Sequence, residues 1–81
     1  MAVRKDDLLL RKTGYSLFYK VIGVEKTAIP SIWSLLVVRV KPSDDKKKVV
    51  TFGKVQYYPM RKGSWGPECF EKITLREILN S

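Results

Sequence analysis

The side chains of this chain that could bind or react are mostly cations and aromatic rings. Lysines occupy positions 46–48 and 54, and Arg61 and Lys62 stand inside the stretch YYPMRKGSWGP, residues 57–67. Cations neutralise phosphates, and exposed aromatic rings stack on unpaired bases. This chemistry predicts a surface that binds nucleic acid, DNA or RNA, or another anionic partner. The predicted binding residues are Lys46, Lys47, Lys48, Lys54, Tyr58, Arg61, Lys62 and Trp65.

A turn between two strands is the plainer interpretation of residues 57–67. Pro59, Gly63, Gly66 and Pro67 all punctuate a chain that is leaving a strand. A turn does not, however, require a tryptophan beside two cations in a chain that is already so basic. That excess favours recognition over a plain turn.

The sequence lacks the residue groupings on which enzymes commonly rely. It has no histidine, which excludes Ser–His and Cys–His nucleophile pairs and imidazole metal sites. The carboxylate pairs Asp6-Asp7 and Asp44-Asp45 lie near a terminus and in a turn, where they stay solvated, whereas general acid catalysis needs a desolvated carboxyl group. Cys69, the only cysteine, is interpreted as a small buried filler. We therefore expect no catalysis, no metal or other cofactor and no small-molecule substrate.

Length and charge bound the remaining possibilities. The 81 residues suit one domain, 1–81, and 16 Lys and Arg against 8 Asp and Glu give a net charge of +8. Such a charge favours an anionic partner, which could be nucleic acid, an acidic protein surface or an anionic membrane face. The longest apolar run, IPSIWSLLVV, is too short to span a bilayer, and the single cysteine allows no internal disulfide. These features predict a soluble cytoplasmic protein that does not enter a membrane.

Three segments rich in β-branched and aromatic residues predict long strands at 15–24, 31–40 and 48–58. A shorter run at 7–12 precedes Thr13-Gly14, which could close a tight hairpin. The turn formers of KPSDDKKK predict a hairpin between the second and third long strands, turning at 42–46. Gly53 interrupts the third long strand and predicts a bulge or a sharp bend there.

Alternation along the third long strand predicts which side chains face inward. Val49, Val55 and Tyr57 share one face, whereas Lys48, Lys54, Gln56 and Tyr58 share the other, so we expect Tyr58 to be the exposed tyrosine. Phe52 falls on this second, polar face unless a bulge at Gly53 changes the register. An exposed strand edge would also allow two copies of the chain to pair as a homodimer.

The C-terminus predicts a short helix near 75–80. Thr74 and Glu77 have the spacing of a capping box, and Leu75, Ile78 and Leu79 lie on one helical side. Seven residues cannot form a stable helix alone, so tertiary packing must hold it.

The order of these elements resembles the SH3-like small barrels of the KOW and Tudor type. The segments YKVIGVEK, LLVVRV and VVTFGKV carry the resemblance and cover less than half of the chain. It implies a mainly β fold, a small antiparallel SH3-like barrel or curved sheet with a short C-terminal helix. Proteins of that type bind nucleic acid, peptides or other proteins without catalysis, which agrees with the residues discussed above.

A protein partner is the alternative to nucleic acid. Trp65 between glycines, with Pro59 and Pro67 nearby, resembles an aromatic loop that anchors in a partner's pocket. A small basic protein could also cover an acidic surface of a larger complex and so regulate it. Salt-dependent binding to random oligonucleotides separates the two hypotheses, because only the first requires it.

Overall fold

The computed structural model describes residues 3–12, 14–61 and 70–80, and for Arg61 the backbone alone. Within these ranges the predicted long strands are present, each displaced by one to three residues toward the C-terminus. The elements are β1 (Leu8–Arg11), β2 (Leu17–Lys26), β3 (Ile32–Pro42), β4 (Val49–Arg61), β5 (Phe70–Ile73) and α1 (Leu75–Leu79).

The five strands form one antiparallel sheet in the order β4-β3-β2-β1-β5. The two edge strands approach each other through their side chains, since the rings of Tyr58 on β4 and Phe70 on β5 are 5.0 Å apart. The sheet is therefore curved. Among the described residues no ladder of hydrogen bonds joins β4 to β5, so the sheet is open. The mainly β prediction is confirmed at this level.

The core fills the concave face of the curved sheet. Successive strands place alternate residues there in register, with Leu9 opposite Tyr19 and Val21 opposite Val37. Tyr19 also packs edge-to-face on Phe70, with ring centroids 5.3 Å apart. The buried cluster consists of Val3, Leu9, Tyr19, Val21, Leu35, Val37, Met60 and Phe70.

Strand β3 is buried on both of its faces. Leu35 and Val37 belong to the core cluster, whereas Val38 and Val40 are buried on the opposite face. The central position of β3, between β2 and β4, accounts for its nearly continuous apolar sequence.

Helix α1 lies against β3 and β4 and begins at the predicted capping box. The Thr74 hydroxyl accepts a hydrogen bond from the Glu77 amide at 3.3 Å, and the Glu77 carboxylate accepts one from the Thr74 amide at 2.6 Å. Ile78 is fully buried, which supplies the packing that so short a helix needs. The described residues contain no helix long and apolar enough to cross a membrane.

The β3–β4 hairpin turns where its sequence predicts. The Lys46 amide donates to the Ser43 carbonyl at 2.9 Å, and the Ser43 amide donates to the Lys48 carbonyl at 2.8 Å. Lys46 has a φ of 55°, the left-handed conformation that closes such a loop. The β1–β2 connection is longer than a two-residue turn, because Arg11 pairs with Leu17 and residues 12–16 join the strands.

Gly53 lies in the predicted bulge. Arg39 pairs with Phe52 and Val37 pairs with Gln56, so Gly53, Lys54 and Val55 stand opposite Val38 alone. Gly53 has a φ of 80°, which glycine adopts without the clash that a Cβ would cause. The bulge thus contains two more residues of β4 than of β3. Because side chains alternate with a period of two, the even-numbered residues of β4 stay on one face before and after the bulge.

Candidate nucleic-acid interface

Two cations of β3 lie over one aromatic ring of β4. Arg39 stands directly opposite Phe52, with its guanidinium carbon 4.8 Å from the ring centroid. Lys41, two residues further along the same face, places its ammonium 5.6 Å from that centroid. Phe52 is half-buried at this end of the strand, so the ring can hold both cations and still border solvent.

Among the described residues no carboxylate neutralises either cation. In the described part of the chain Lys20 pairs with Asp6 and Lys72 with Asp7, each at 3.4 Å between nitrogen and oxygen, and neither Arg39 nor Lys41 forms such a pair. A stacked guanidinium keeps its donors in a fixed plane, and that geometry suits bidentate contact with a phosphate. The pair on Phe52 therefore presents two charges that an anionic ligand can neutralise.

The adjacent β3–β4 loop adds three exposed lysines, Lys46 to Lys48. Asp45 organises this loop, because its carboxylate accepts hydrogen bonds from the Ser43 hydroxyl and, at 3.1 Å, from the Lys47 amide. These two bonds, with that of Ser43 the larger, lower the pKa of Asp45 below its usual value of 3.8. The carboxylate thus stays ionised and holds the backbone that carries the lysines.

Lys54 is exposed on the bulge, two residues from Phe52. Residues 39–54 contain six cations and two aspartates, so this hairpin end carries +4 of the net charge of +8. We call the following residues the hairpin-end cluster: Arg39, Lys41, Lys46, Lys47, Lys48, Phe52 and Lys54.

The structure separates the predicted binding residues into two groups. Lys46, Lys47, Lys48 and Lys54 belong to the hairpin-end cluster, whereas the backbone of Arg61 pairs with Ile32 at the other end of β3. Ten residue steps along β3 separate these ends, which is about 33 Å. The side chain of Arg61, together with Lys62 and Trp65, lies outside the described residues, as does Cys69.

The predicted facing of the two tyrosines was wrong. Tyr57 is 64% exposed, whereas Tyr58 is half-buried, packs against the core cluster and stands opposite Leu35. The polar residues near Tyr58 misled the prediction. Lys54 lies on the bulge, and Gln56, although it faces inward, accepts a hydrogen bond from the Tyr58 hydroxyl at 3.0 Å. Tyr58 therefore packs against the core of the sheet and is not the exposed tyrosine.

Arg39 and Lys41 were missing from the predicted binding residues, although a signal for them existed. The sequence places Phe52 on the strand face that also carries Lys48, Lys54 and Gln56, where it is the aromatic residue out of pattern. Arg39 and Lys41 alternate on the neighbouring strand at the same end of the hairpin. An aromatic residue out of pattern beside alternating cations is the arrangement of a cation–π cluster.

The outer face of the sheet carries a small exposed apolar patch. Gly23, Leu36 and Tyr57 align across β2, β3 and β4, and of this row Leu36 is half-buried and Tyr57 is exposed. Ile22 and Val55, each at an irregularity of its strand, are exposed beside this row. Such a patch is typical of a surface that contacts another protein.

Comparison of the chain with models of known protein families, with curated proteins and with solved structures finds no match.

Proposed function

We propose that this chain is a non-catalytic nucleic-acid-binding module whose hairpin-end cluster contacts the phosphate backbone. The observation that carries the proposal is the pair of cations, Arg39 and Lys41, held over Phe52 without a carboxylate partner in the described residues. Charge that is fixed in place and not neutralised internally is what phosphate binding needs. Backbone contacts of this kind carry no sequence information, so we expect binding to DNA and RNA of many sequences.

We also propose the SH3-like small-barrel type as the finer description of the fold. The return of β5 beside β1 and the contact of Tyr58 with Phe70 across the open side of the sheet support it. In this description β3 and β4 form the long hairpin, and the hairpin-end cluster lies at its tip.

The salt dependence of binding tests the proposed function. Affinity for a labelled 12-base-pair duplex is measured at several salt concentrations for the wild-type chain and for the double variant Arg39→Gln, Lys41→Gln. The log–log slope should become shallower by about one to two units in the variant, since each phosphate contact contributes about 0.9. Arg4→Gln, Lys5→Gln is the matched control, because it removes the same charge from exposed N-terminal positions.

The control should retain the wild-type slope. Equal slopes for both double variants would place the contact elsewhere, and absence of binding to DNA and RNA at low salt would exclude the proposed function.

A protein-binding module is the second candidate, and the apolar patch formed by the exposed Ile22, Val55 and Tyr57 around the half-buried Leu36 supports it. The partner would be an acidic protein surface, given the charge of the chain. This candidate predicts that Tyr57→Ala abolishes capture of the partner while nucleic-acid affinity is unchanged.

A further inference from the structure

A pocket of about 270 Å³ lies at the end of the sheet opposite the hairpin-end cluster. It is formed by the connection between β2 and β3 and by the first residues of β3. The lining residues are Lys26, Thr27, Ile29, Pro30, Ile32 and Trp33. The volume is slightly below the roughly 300–1,000 Å³ of pockets that hold drug-sized ligands, so it suits a single ring system.

Hydrogen bonds within the connection fix the pocket wall. The Thr27 hydroxyl donates to the Ile32 carbonyl at 2.8 Å and accepts from the Ile29 amide at 3.2 Å. The Ile32 amide donates to the Ile29 carbonyl at 3.0 Å, and Pro30 between them restricts the backbone. A ligand that enters this pocket therefore has little ordering cost to overcome.

Trp33 provides an aromatic ring with the ammonium of Lys26 over it. Lys26 is its cross-strand partner and places its ammonium 5.9 Å from the ring centroid of Trp33. Trp33 packs against the core cluster, which holds the indole in place, and Lys26 has no carboxylate partner in the described residues. Ile29, 58% exposed, extends the apolar wall toward solvent.

We propose that this pocket binds one unpaired nucleotide, with its base against the Trp33 indole and its phosphate beside Lys26. The inference rests on the proposed function and extends it to nucleic acid with unpaired bases. A flat ring and an adjacent anion are what a fixed indole and an unpaired ammonium accommodate together. The net charge of +8 favours a polyanion over a neutral ligand of the same shape.

The two cation–aromatic sites occupy one strand. Trp33 and Arg39 alternate onto the same face of β3, six residue steps and thus about 20 Å apart. A single-stranded nucleic acid that is long enough to cover this distance can contact both sites. A duplex can contact only the hairpin-end cluster, because its bases are paired and cannot enter the pocket.

Two probes test the proposal: a labelled T12 single strand and a labelled 12-base-pair duplex. Trp33→Leu, which keeps an apolar side chain against the core, should weaken T12 binding about 5- to 150-fold, the range for loss of one stacked base. It should leave duplex affinity within about twofold, and that result also shows that the variant is folded. Lys26→Gln should make the salt slope for T12 shallower by about 0.7, whereas Lys5→Gln should not change it.

Ile29→Glu is a second variant that leaves the core intact and brings a carboxylate to the pocket rim. It should weaken T12 binding and spare duplex binding. Equal losses for both probes, or no loss for T12, would overturn the pocket proposal and leave a protein side chain as the occupant. The proposed function would survive either result if duplex binding still depends on Arg39 and Lys41, and it would fail only if neither probe binds.

Discussion

Arg39 and Phe52 face each other across β3 and β4, with the guanidinium carbon 4.8 Å from the ring centroid. Phe52 lies on the face that carries the core, but beyond its end, since Arg39 occupies the position that follows Val37 on that face. The ring therefore serves as a support for charge. In this position an arginine gains a fixed orientation without the carboxylate that usually provides it.

Replacing Phe52 with Leu tests this support. The charges remain, so the salt slope of duplex binding should stay the same, but the guanidinium loses its orienting ring. An exposed cation–π contact is worth about 0.5–1 kcal/mol, so affinity should fall about two- to fivefold. Phe18 is a half-buried phenylalanine on β2, and Phe18→Leu is the control, which should not change affinity. A changed slope would show that Phe52→Leu had displaced the cations themselves.

The strands and the helix could be predicted from local sequence, but the contact of Arg39 with the Phe52 ring could not. β-branched runs, the Ser43–Lys46 turn and the Thr74–Glu77 capping box are signals within a few residues of each other, and each of these elements forms. The contact between Arg39 and Phe52 depends on the register between two strands, which runs unbroken from the Pro42–Val49 pair at the turn to the Arg39–Phe52 pair just before the bulge at Gly53. No count of polar and apolar residues along one strand contains this information.

The predicted exposure of Tyr58 was wrong for a related reason, because it was based on the polarity of neighbouring residues in one strand. Gln56 is polar but accepts a hydrogen bond from the Tyr58 hydroxyl, and Lys54 lies on the bulge within β4, so neither marks a solvent face. The burial of Tyr58 follows from Leu35 opposite and from Phe70, which is distant in sequence. These contacts between strands, which local sequence does not contain, determine that Tyr58 faces inward.

Gly53→Ala should destabilise the fold through the backbone. Gly53 has a φ of 80°, and an added methyl group would meet no atoms within 4 Å apart from those of Gly53 itself and its two chain neighbours, so the cost is conformational, about 1–2 kcal/mol. Gly23→Ala is the matched control, because Gly23 has equal space and no positive φ, and its effect should be small. Urea denaturation measures both. Equal losses of stability would mean that the conformation at Gly53 is not what makes glycine necessary.

Asp45→Asn should make the stability of the hairpin less dependent on acid. The hydrogen bonds from Ser43 and Lys47 lower the pKa of Asp45 from 3.8, so the folded state binds fewer protons than the unfolded state in that range. The stabilisation is therefore fully present above pH 3.8 and is lost as the pH falls through the lowered pKa. The difference in melting temperature between wild type and Asp45→Asn should be constant near neutral pH and disappear in acid.

Asp44→Asn is the control for this pH dependence. Asp44 is exposed and adjacent to Asp45, and its replacement removes the same charge. A difference from wild type with the same pH profile in both variants would assign the effect to net charge instead of to the bonds within the loop.

The two neighbouring tyrosines of β4 should respond very differently to truncation. Tyr57 is exposed on the outer face, so Tyr57→Ala should change the free energy of unfolding by no more than about 0.5 kcal/mol. Tyr58→Ala removes a half-buried ring that packs on Phe70 and Leu35, which should cost about 2–4 kcal/mol, somewhat less than a fully buried aromatic residue. Tyr58→Phe should cost about 0.5–1.5 kcal/mol, because it removes the hydrogen bond to Gln56 and keeps the ring. Urea midpoints at constant m-value measure all three changes. A larger loss for Tyr57→Ala than for Tyr58→Ala would reverse the facing of β4 in the part of the strand that follows the bulge at Gly53.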